Sequence, residues 1–316
     1  MSSLARTDHG CESDNISYHK PFLRSAVARS LYERMQREEQ LRKFDKGKWY
    51  KCDLDAITDA HVRSSFVQSD CDDDTEAFLS HCYEKSDWFF THVFHAVART
   101  LLSLFMTSTS INGFLNRGSM FVFGRTQFSA LVDDLPRIKA DPNSKLLDLG
   151  AGDGKVTERM SSFFAETYAT EISPVMRRLL TKKGFKVLDI DAWTEPGVEY
   201  DVIACLNLLD RCDKPVTMLH QMKSKLKPNG VILMALVFPF SQYVENSSNA
   251  THRATESVSL NGTTFEQHIV SLNEELIRPN GLEIVKWTRV PYLCEGDLDL
   301  SFYWLHDAVL VLKAVD

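Results

Sequence analysis

Basic residues are the minority in this 316-residue chain: 36 Lys and Arg against 43 Asp and Glu leave a formal net charge of -7. Clustered cations supply most of the affinity for nucleic-acid backbones, so the sequence predicts no nucleic-acid partner. No uninterrupted apolar run approaches the ~18 residues of a membrane span. The strongest stretch, Val97 to Met106, is short and is broken by Arg99 and Thr100. Met1 to Gln40 holds no apolar core of the kind a secretion signal needs. The seven cysteines are odd in number, widely spread and form no C-x-x-C pair. That pattern predicts reduced thiols, no zinc site and a cytoplasmic address. Sequons at Asn15, Asn246, Asn249 and Asn261 point the other way, because each accepts a glycan in a secreted chain. The acidic run Asp70 to Asp74 lacks the alternating ligands, mid-loop glycine and closing glutamate of a calcium loop, and reads as the turn before a helix. His92 and His95 lie three apart on a predicted helix, but no neighbouring carboxylate or Cys completes a metal set. They read as core histidines, and no metal is expected.

What is present is ordinary globular composition, 44% hydrophobic and 25% charged, in a chain long enough for one enlarged domain. Residues 1–20 are polar and aperiodic and predict a flexible tail. Residues 21–140 predict a helical region: an Arg- and Glu-rich helix over Ser25 to Phe44, an amphipathic helix over Asp53 to Ser69, a long apolar helix or helix pair over Thr75 to Thr107, and a helix ending near Leu135. Two glycines interrupt Ser110 to Phe123, which predicts a loop or short helix over the mouth of a site. Residues 141–316 alternate strand and helix. Strands are predicted at Lys145 to Leu149, Thr167 to Thr170, Phe185 to Ile190, Tyr200 to Leu206 and Val231 to Phe238. Helices start at Lys155 and span Ser173 to Lys183, Val216 to Leu226 and Phe265 to Arg278. Such alternation implies an α/β fold with right-handed crossovers and a mostly parallel sheet. No helix separates Glu283 to Val290 from Asp307 to Leu312, so these predict an antiparallel hairpin at the edge. Ser241 to Thr264 is a long polar insertion, of a length that is commonly functional or mobile.

The chemistry centres on Leu147-Asp148-Leu149-Gly150-Ala151-Gly152-Asp153-Gly154, an apolar strand entering a glycine turn. A dinucleotide fingerprint requires a third glycine three residues after the second, where Lys155 stands. The G-x-G-x-G form with Asp148 before it instead resembles the first motif of class I S-adenosylmethionine-dependent methyltransferases, which implies cofactor contacts at Asp148, Gly150, Ala151, Gly152 and Gly154. Ligands of open parallel sheets sit at the carboxyl ends of the strands. There, Glu171 can accept both ribose hydroxyls or simply open a helix. Asp191 can accept the adenine amino group with Trp193 against the ring, or cap a helix with Trp193 in the core. Asn207 and Asp210 end the fourth strand beside the transferable methyl, or serve as turn and cap residues. Asn207 also counts as a cofactor contact.

The runs Ser119 to Phe123, Leu147 to Gly154, Tyr168 to Glu171, Cys205 to Cys212, Pro239-Phe240 with Tyr243 to Asn246, and Pro291 to Asp297 resemble the DREV family of protein-histidine methyltransferases from about Phe66 to the C-terminus. The resemblance implies a seven-stranded Rossmann-like sheet with residues 141–316 binding S-adenosyl-L-methionine and releasing S-adenosyl-L-homocysteine. It implies methyl transfer to the pros nitrogen of histidine in His-x-His segments with a small middle residue. The expected partners are proteins or peptides carrying such segments, and the expected state is a monomer without a membrane span. Asn207, Asp210 and Tyr303 are the candidate catalytic residues, with core packing at the hairpin as the other reading of Tyr303. Residues 1–40 read as lacking the apolar leader associated with the family, so a cytoplasmic address is expected, with endomembrane association as what the resemblance implies. Two other functions fit the same residues: a class I methyltransferase with a different acceptor, and an inactive cofactor-binding scaffold.

Overall fold

A computed structural model of the chain describes residues 25–86, 111, 115, 118–133, 141–244, 252–297 and 299–315. The predicted tail, the apolar stretch that carries His92 and His95, Gly113, and the sequons at Asn15, Asn246 and Asn249 lie outside the described residues.

One sheet organises the rest. Its strands are β1 (Met120–Phe121), β2 (Lys145–Leu149), β3 (Glu166–Thr170), β4 (Lys186–Leu188), β5 (Tyr200–Leu206), β6 (Leu226–Phe238), β7 (Leu282–Glu295) and β8 (Phe302–Ala314). They lie in the order β1-β7-β8-β6-β5-β2-β3-β4. Strands β2 to β6 run parallel, while β8 is antiparallel to β6 and β7, and β7 to β1. Among the described residues the sheet therefore has eight strands rather than seven, and β8 is inserted between β6 and β7. Side chains alternate between its faces. Leu147, Leu149, Ile203, Cys205, Ile232 and Met234 enter one core, and Leu146, Val202, Ala204, Val231 and Leu233 enter the other. Burial on both faces explains why these strands read as continuous apolar runs.

The helices are α1 (Ala26–Lys43), α2 (Ala60–Ser64), α3 (Asp73–Ser86), α4 (Arg125–Val132), α5 (Lys155–Ser161), α6 (Pro174–Lys182), α7 (Pro215–Ser224) and α8 (Phe265–Leu272). Several start where the sequence signals a start. The Ser25 hydroxyl accepts the Ala28 N–H. Ser173 caps α6 with Pro174 in its first turn, where proline loses no hydrogen bond.

The helix expected over Asp53 to Ser69 is replaced by a single 3-10 turn at Leu54–Ala56 and the five-residue α2. Tertiary pairing outcompetes the helix: the Val67 N–H donates to Trp287 O at 2.8 Å and the Trp287 N–H to Ser65 O at 2.9 Å. The Phe66 and Trp287 rings meet at 4.7 Å. The terminal strands are longer than their apolar centres, because β7 and β8 pair continuously out to Glu295 and Phe302. Strand β4 is shorter than expected, ending at Leu188 with Asp189 and Ile190 exposed. Among the described residues no helix is long and apolar enough to cross a membrane.

Candidate active site

Strand register brings the predicted residues to one rim. Leu149 pairs with Thr170 and with Cys205, and Thr170 with Leu188, so the glycine turn, Glu171, Asp189 and Asn207 leave the sheet side by side. From the antiparallel side, Val237 pairs with Asp307 and Phe238 with His306. The Asn207 N–H donates to Ala235 O at 2.9 Å, which sets Asn207 across from Asp307.

All three glycines of the turn have positive φ, the region that penalises a Cβ. What surrounds them differs. A Cβ on Gly150 would sit 3.1 Å from Leu208 Cδ1, and one on Gly154 2.7 Å from Leu180 Cδ2. Gly152 faces open space, with nothing within 4 Å. Two glycines thus serve packing, and the middle one leaves room for a ligand. Glu171 organises the turn: its Oε2 accepts the Gly152 N–H at 3.0 Å, and its Oε1 accepts the Ile172 and Ser173 N–H groups. Arg177 ties the ends of β3 and β4 by donating to Glu171 O, Leu188 O and the Asp189 carboxylate. Ile172 and Ile190 are exposed at those same strand ends, 61% and 48% respectively, and offer apolar surface for a flat ring.

Asp148 is buried one layer below. Its Oδ2 accepts the Thr157 hydroxyl at 2.6 Å and clamps α5 to β2. Burial pushes its carboxyl up to about 7 against the Thr157 hydrogen bond, and the Glu171 charge adds to the rise. Asp191 is exposed at the head of a 3-10 turn, whereas Trp193 is 5% exposed and belongs to the core.

Beyond β5, Asn207 takes a left-handed conformation with φ 52, a geometry asparagine tolerates better than most residues. Its Nδ2 donates to Asp307 Oδ2 at 2.8 Å. Asp210 follows in a 3-10 turn over Leu209–Arg211, and burial raises its carboxyl while Arg211 pulls it back. Asp307 is 0% exposed. Burial pushes it up to about 8, with Asn207 opposing and the Asp210 charge adding to the rise. The Oδ1 atoms of Asn207, Asp210 and Asp307 are all buried without a hydrogen-bond partner. Unsatisfied buried polar atoms cost ~1–3 kcal/mol each, so three in one cluster leave hydrogen-bonding capacity for a ligand.

Tyr303 stands apart from that cluster. It pairs with Cys294 on the hairpin, and its hydroxyl donates to Asp297 Oδ1 at 2.9 Å. Sequence reading missed Asp307, whose signal was a lone acid inside the apolar run from Tyr303 to Leu312. It also missed Thr157, which carries no pattern of its own. Among the described residues no group of three or more His, Cys, Asp or Glu is placed to hold a metal.

A parallel sheet with an open glycine turn, a carboxylate at the next strand end and a cluster of unpartnered buried oxygens one strand away is the arrangement of an S-adenosylmethionine-dependent methyltransferase. Comparison with known proteins agrees: the DREV methyltransferase family matches residues 49–314. The chain belongs to that family, and S-adenosylmethionine is its cofactor. It is also similar to the ubiquinone biosynthesis O-methyltransferase of Azoarcus sp. (strain BH72), 28% identical over 177 residues, 50% of this chain and 75% of that protein. The likeness to the Xanthomonas campestris pv. campestris (strain B100) enzyme of the same name is 23% over 104 residues, 30% of this chain. There the chain spans 43% of the relative's length, and it spans 4% of the hybrid PKS-NRPS synthetase lepA of Aspergillus flavus. Among solved structures, an S-adenosylmethionine-dependent methyltransferase from Leishmania major aligns with TM-score 0.39 and 19% identity, covering 60% of this chain and 71% of that one.

Proposed function

We propose that the protein transfers a methyl group from S-adenosylmethionine to the pros nitrogen of histidine in His-x-His segments of proteins. The acceptor class comes from the likeness to the histidine-modifying DREV enzymes. The observation that carries it is Asp210, a partly buried side chain whose Oδ1 is buried and unpartnered, one strand away from the glycine turn.

Bound S-adenosylmethionine supplies an electrophilic methyl on a sulfonium. Gly150, Ala151, Gly152 and Gly154 shape its seat, Asp148 stiffens that seat through Thr157, and Glu171 accepts the ribose hydroxyls. Asp191 and Trp193 border the adenine end, where Ile172 and Ile190 add apolar surface. A neutral imidazole nitrogen is already a nucleophile, so the residues must hold the ring neutral and aim it. The Asp210 carboxylate accepts the tele N–H, which fixes the tautomer and leaves the pros lone pair facing the methyl. As the ring becomes positive, the same carboxylate stabilises charge absent from the ground state. Asn207 turns its Oδ1 toward the ring, and Tyr303 contacts the peptide at the hairpin end.

The test is incubation with labelled cofactor and His-x-His peptides against His-to-Ala controls, followed by mass spectrometry with both methylhistidine standards. Pros-methylhistidine is expected. A tele product, or label on the controls, would overturn the assignment.

A further inference from the structure

Resting on the acceptor reading above, we infer that Asp307 is a positioning residue of the acceptor pocket: it pins the Asn207 amide so that the amide oxygen, and not its NH2, faces the acceptor ring.

The amide of asparagine is a donor on one side and an acceptor on the other, and the two ends have nearly the same shape. Only a fixed partner decides which end a ligand meets. Asn207 has one. Its backbone is held in the left-handed region by the N–H bond to Ala235, and its Nδ2 donates to Asp307 Oδ2 at 2.8 Å. With the NH2 end committed, Oδ1 is left buried and unpartnered, as are Asp210 Oδ1 and Asp307 Oδ1. Asn207 and Asp210 therefore present acceptor oxygens to the ring. That is the right sign for a ring that keeps one N–H and gains a positive charge during transfer, since partial negative charge aimed at the developing cation favours the transition state. A free amide would rotate its NH2 toward the ring, where it can donate to the pros lone pair. That hydrogen bond occupies the electrons needed for attack on the methyl and opposes the growing charge.

Asp307 is suited to the task by its place in the sheet. It stands in the central antiparallel strand β8 opposite Val237 and Val290, with 0% exposure, so backbone pairing on both sides fixes its direction. The charged and titratable groups that bear on it are Asp210 at the end of β5, and Arg211, Tyr292 and Cys294 around them. With its carboxyl pushed up to about 8, Asp307 is mostly protonated at neutral pH and adds no second negative charge beside Asp210. Its contribution is a hydrogen-bond acceptor for Nδ2, which an asparagine at the same position can replace.

The experiment compares Asp307→Leu and Asp307→Asn at pH 7, measuring kcat and KM on a His-x-His peptide, cofactor Kd by calorimetry, melting temperature and the pros-to-tele ratio of the product. Asp307→Leu is expected to lower kcat at least tenfold and to raise the tele fraction, with cofactor Kd within about twofold of the parent. Asp307→Asn is expected to stay within about threefold of the parent kcat with the parent ratio. In an Asn207→Leu background, adding Asp307→Leu should cost no further activity, because the pinned group is already gone. Should Asp307→Leu fail to fold, Asp307→Ser, too short to reach Asn207, carries the same test. Parent-like kcat and ratio in the Leu or Ser variant would overturn the inference. So would a lowered melting temperature with an unchanged ratio, which marks a merely structural role. A parent enzyme that makes no pros-methylhistidine would instead overturn the function reading, and the inference with it.

Discussion

In the proposed histidine methylation the chemistry turns on Asp210, and its substitutions separate shape from charge. Asp210→Asn keeps an oxygen that can accept the tele N–H but loses the negative charge proposed to stabilise the developing imidazolium. One charged hydrogen bond is worth ~1.5–3 kcal/mol, so kcat is expected to fall roughly tenfold to a hundredfold, with cofactor affinity unchanged by calorimetry. Asp210→Ala should fall further and relax the choice of nitrogen. Full activity in the alanine variant would remove Asp210 from the mechanism. The glycines make a second pair. Gly152→Arg puts a cation into the open space over the turn and should abolish S-adenosylmethionine binding while the fold persists by circular dichroism. Gly154→Ala drives a Cβ against Leu180 and Phe185 at a φ of +75° and should lower the melting temperature by a few degrees, consistent with a strain of ~1–3 kcal/mol. If Gly152→Arg bound cofactor like the parent, the ligand would lie elsewhere.

At the scale of elements, the described N-terminal helices are tied to the sheet by specific polar contacts. Lys85 of α3 donates to both oxygens of Glu295 at the end of β7, at 3.1 and 3.2 Å. The same carboxylate accepts the Ser119 N–H just before β1. The Ser119 hydroxyl in turn reaches Asp153 in the glycine turn at 3.4 Å. Helix α1 adds Glu38, whose carboxylate accepts the Ser301 N–H and hydroxyl, both at 2.7 Å, where β8 begins. Glu295 thus joins α3, β1 and β7, and its side chain is buried. Glu295→Ala removes a buried charged contact and should lower stability by ~1.5–3 kcal/mol, read as an earlier urea midpoint with an unchanged slope. An unshifted midpoint would show that the helices are held by apolar packing alone.

For the whole molecule, the buried carboxyls set the pH dependence of stability. Asp148 and Asp307 are raised to about 7 and about 8, mainly by burial, whereas the same groups in the unfolded chain titrate near ~3.9. Between those values the folded state holds protons that the unfolded state has released. Their contribution is complete below about pH 4 and is lost as pH rises through 7 and 8. Stability should fall with pH by roughly 1.4 kcal/mol per unit for each fully linked group, seen as a melting temperature that drops from pH 5 to pH 8. Asp307→Asn should flatten that slope, and a slope identical to the parent's would show that Asp307 is ionised in the folded protein.

Local pattern in the chain determined much of this. The parallel strands were legible because burial on both faces leaves an unbroken apolar run, and α6 and α8 because helices alternate with those strands; in the fold Ser25, Ser173 and Thr264 accept the backbone donors that open α1, α6 and α8. The glycine turn and Glu171 were legible because a strand-to-helix turn and a strand-end carboxylate sit at fixed offsets. Asn207 and Asp210 were legible as candidates from their place after β5. What depended on distant partners was not readable. Phe66 left a helical pattern to lie along β7, since its neighbours' backbone bonds and its ring are satisfied by Trp287, some 220 positions away. Asp307 joins Asn207 across 100 positions, and only the antiparallel insertion of β8 beside β6 brings the two together. Hydrogen bonds within a turn or helix are encoded by neighbouring residues; a carboxyl facing an amide across a sheet is decided by strand order, which emerges when the whole core packs.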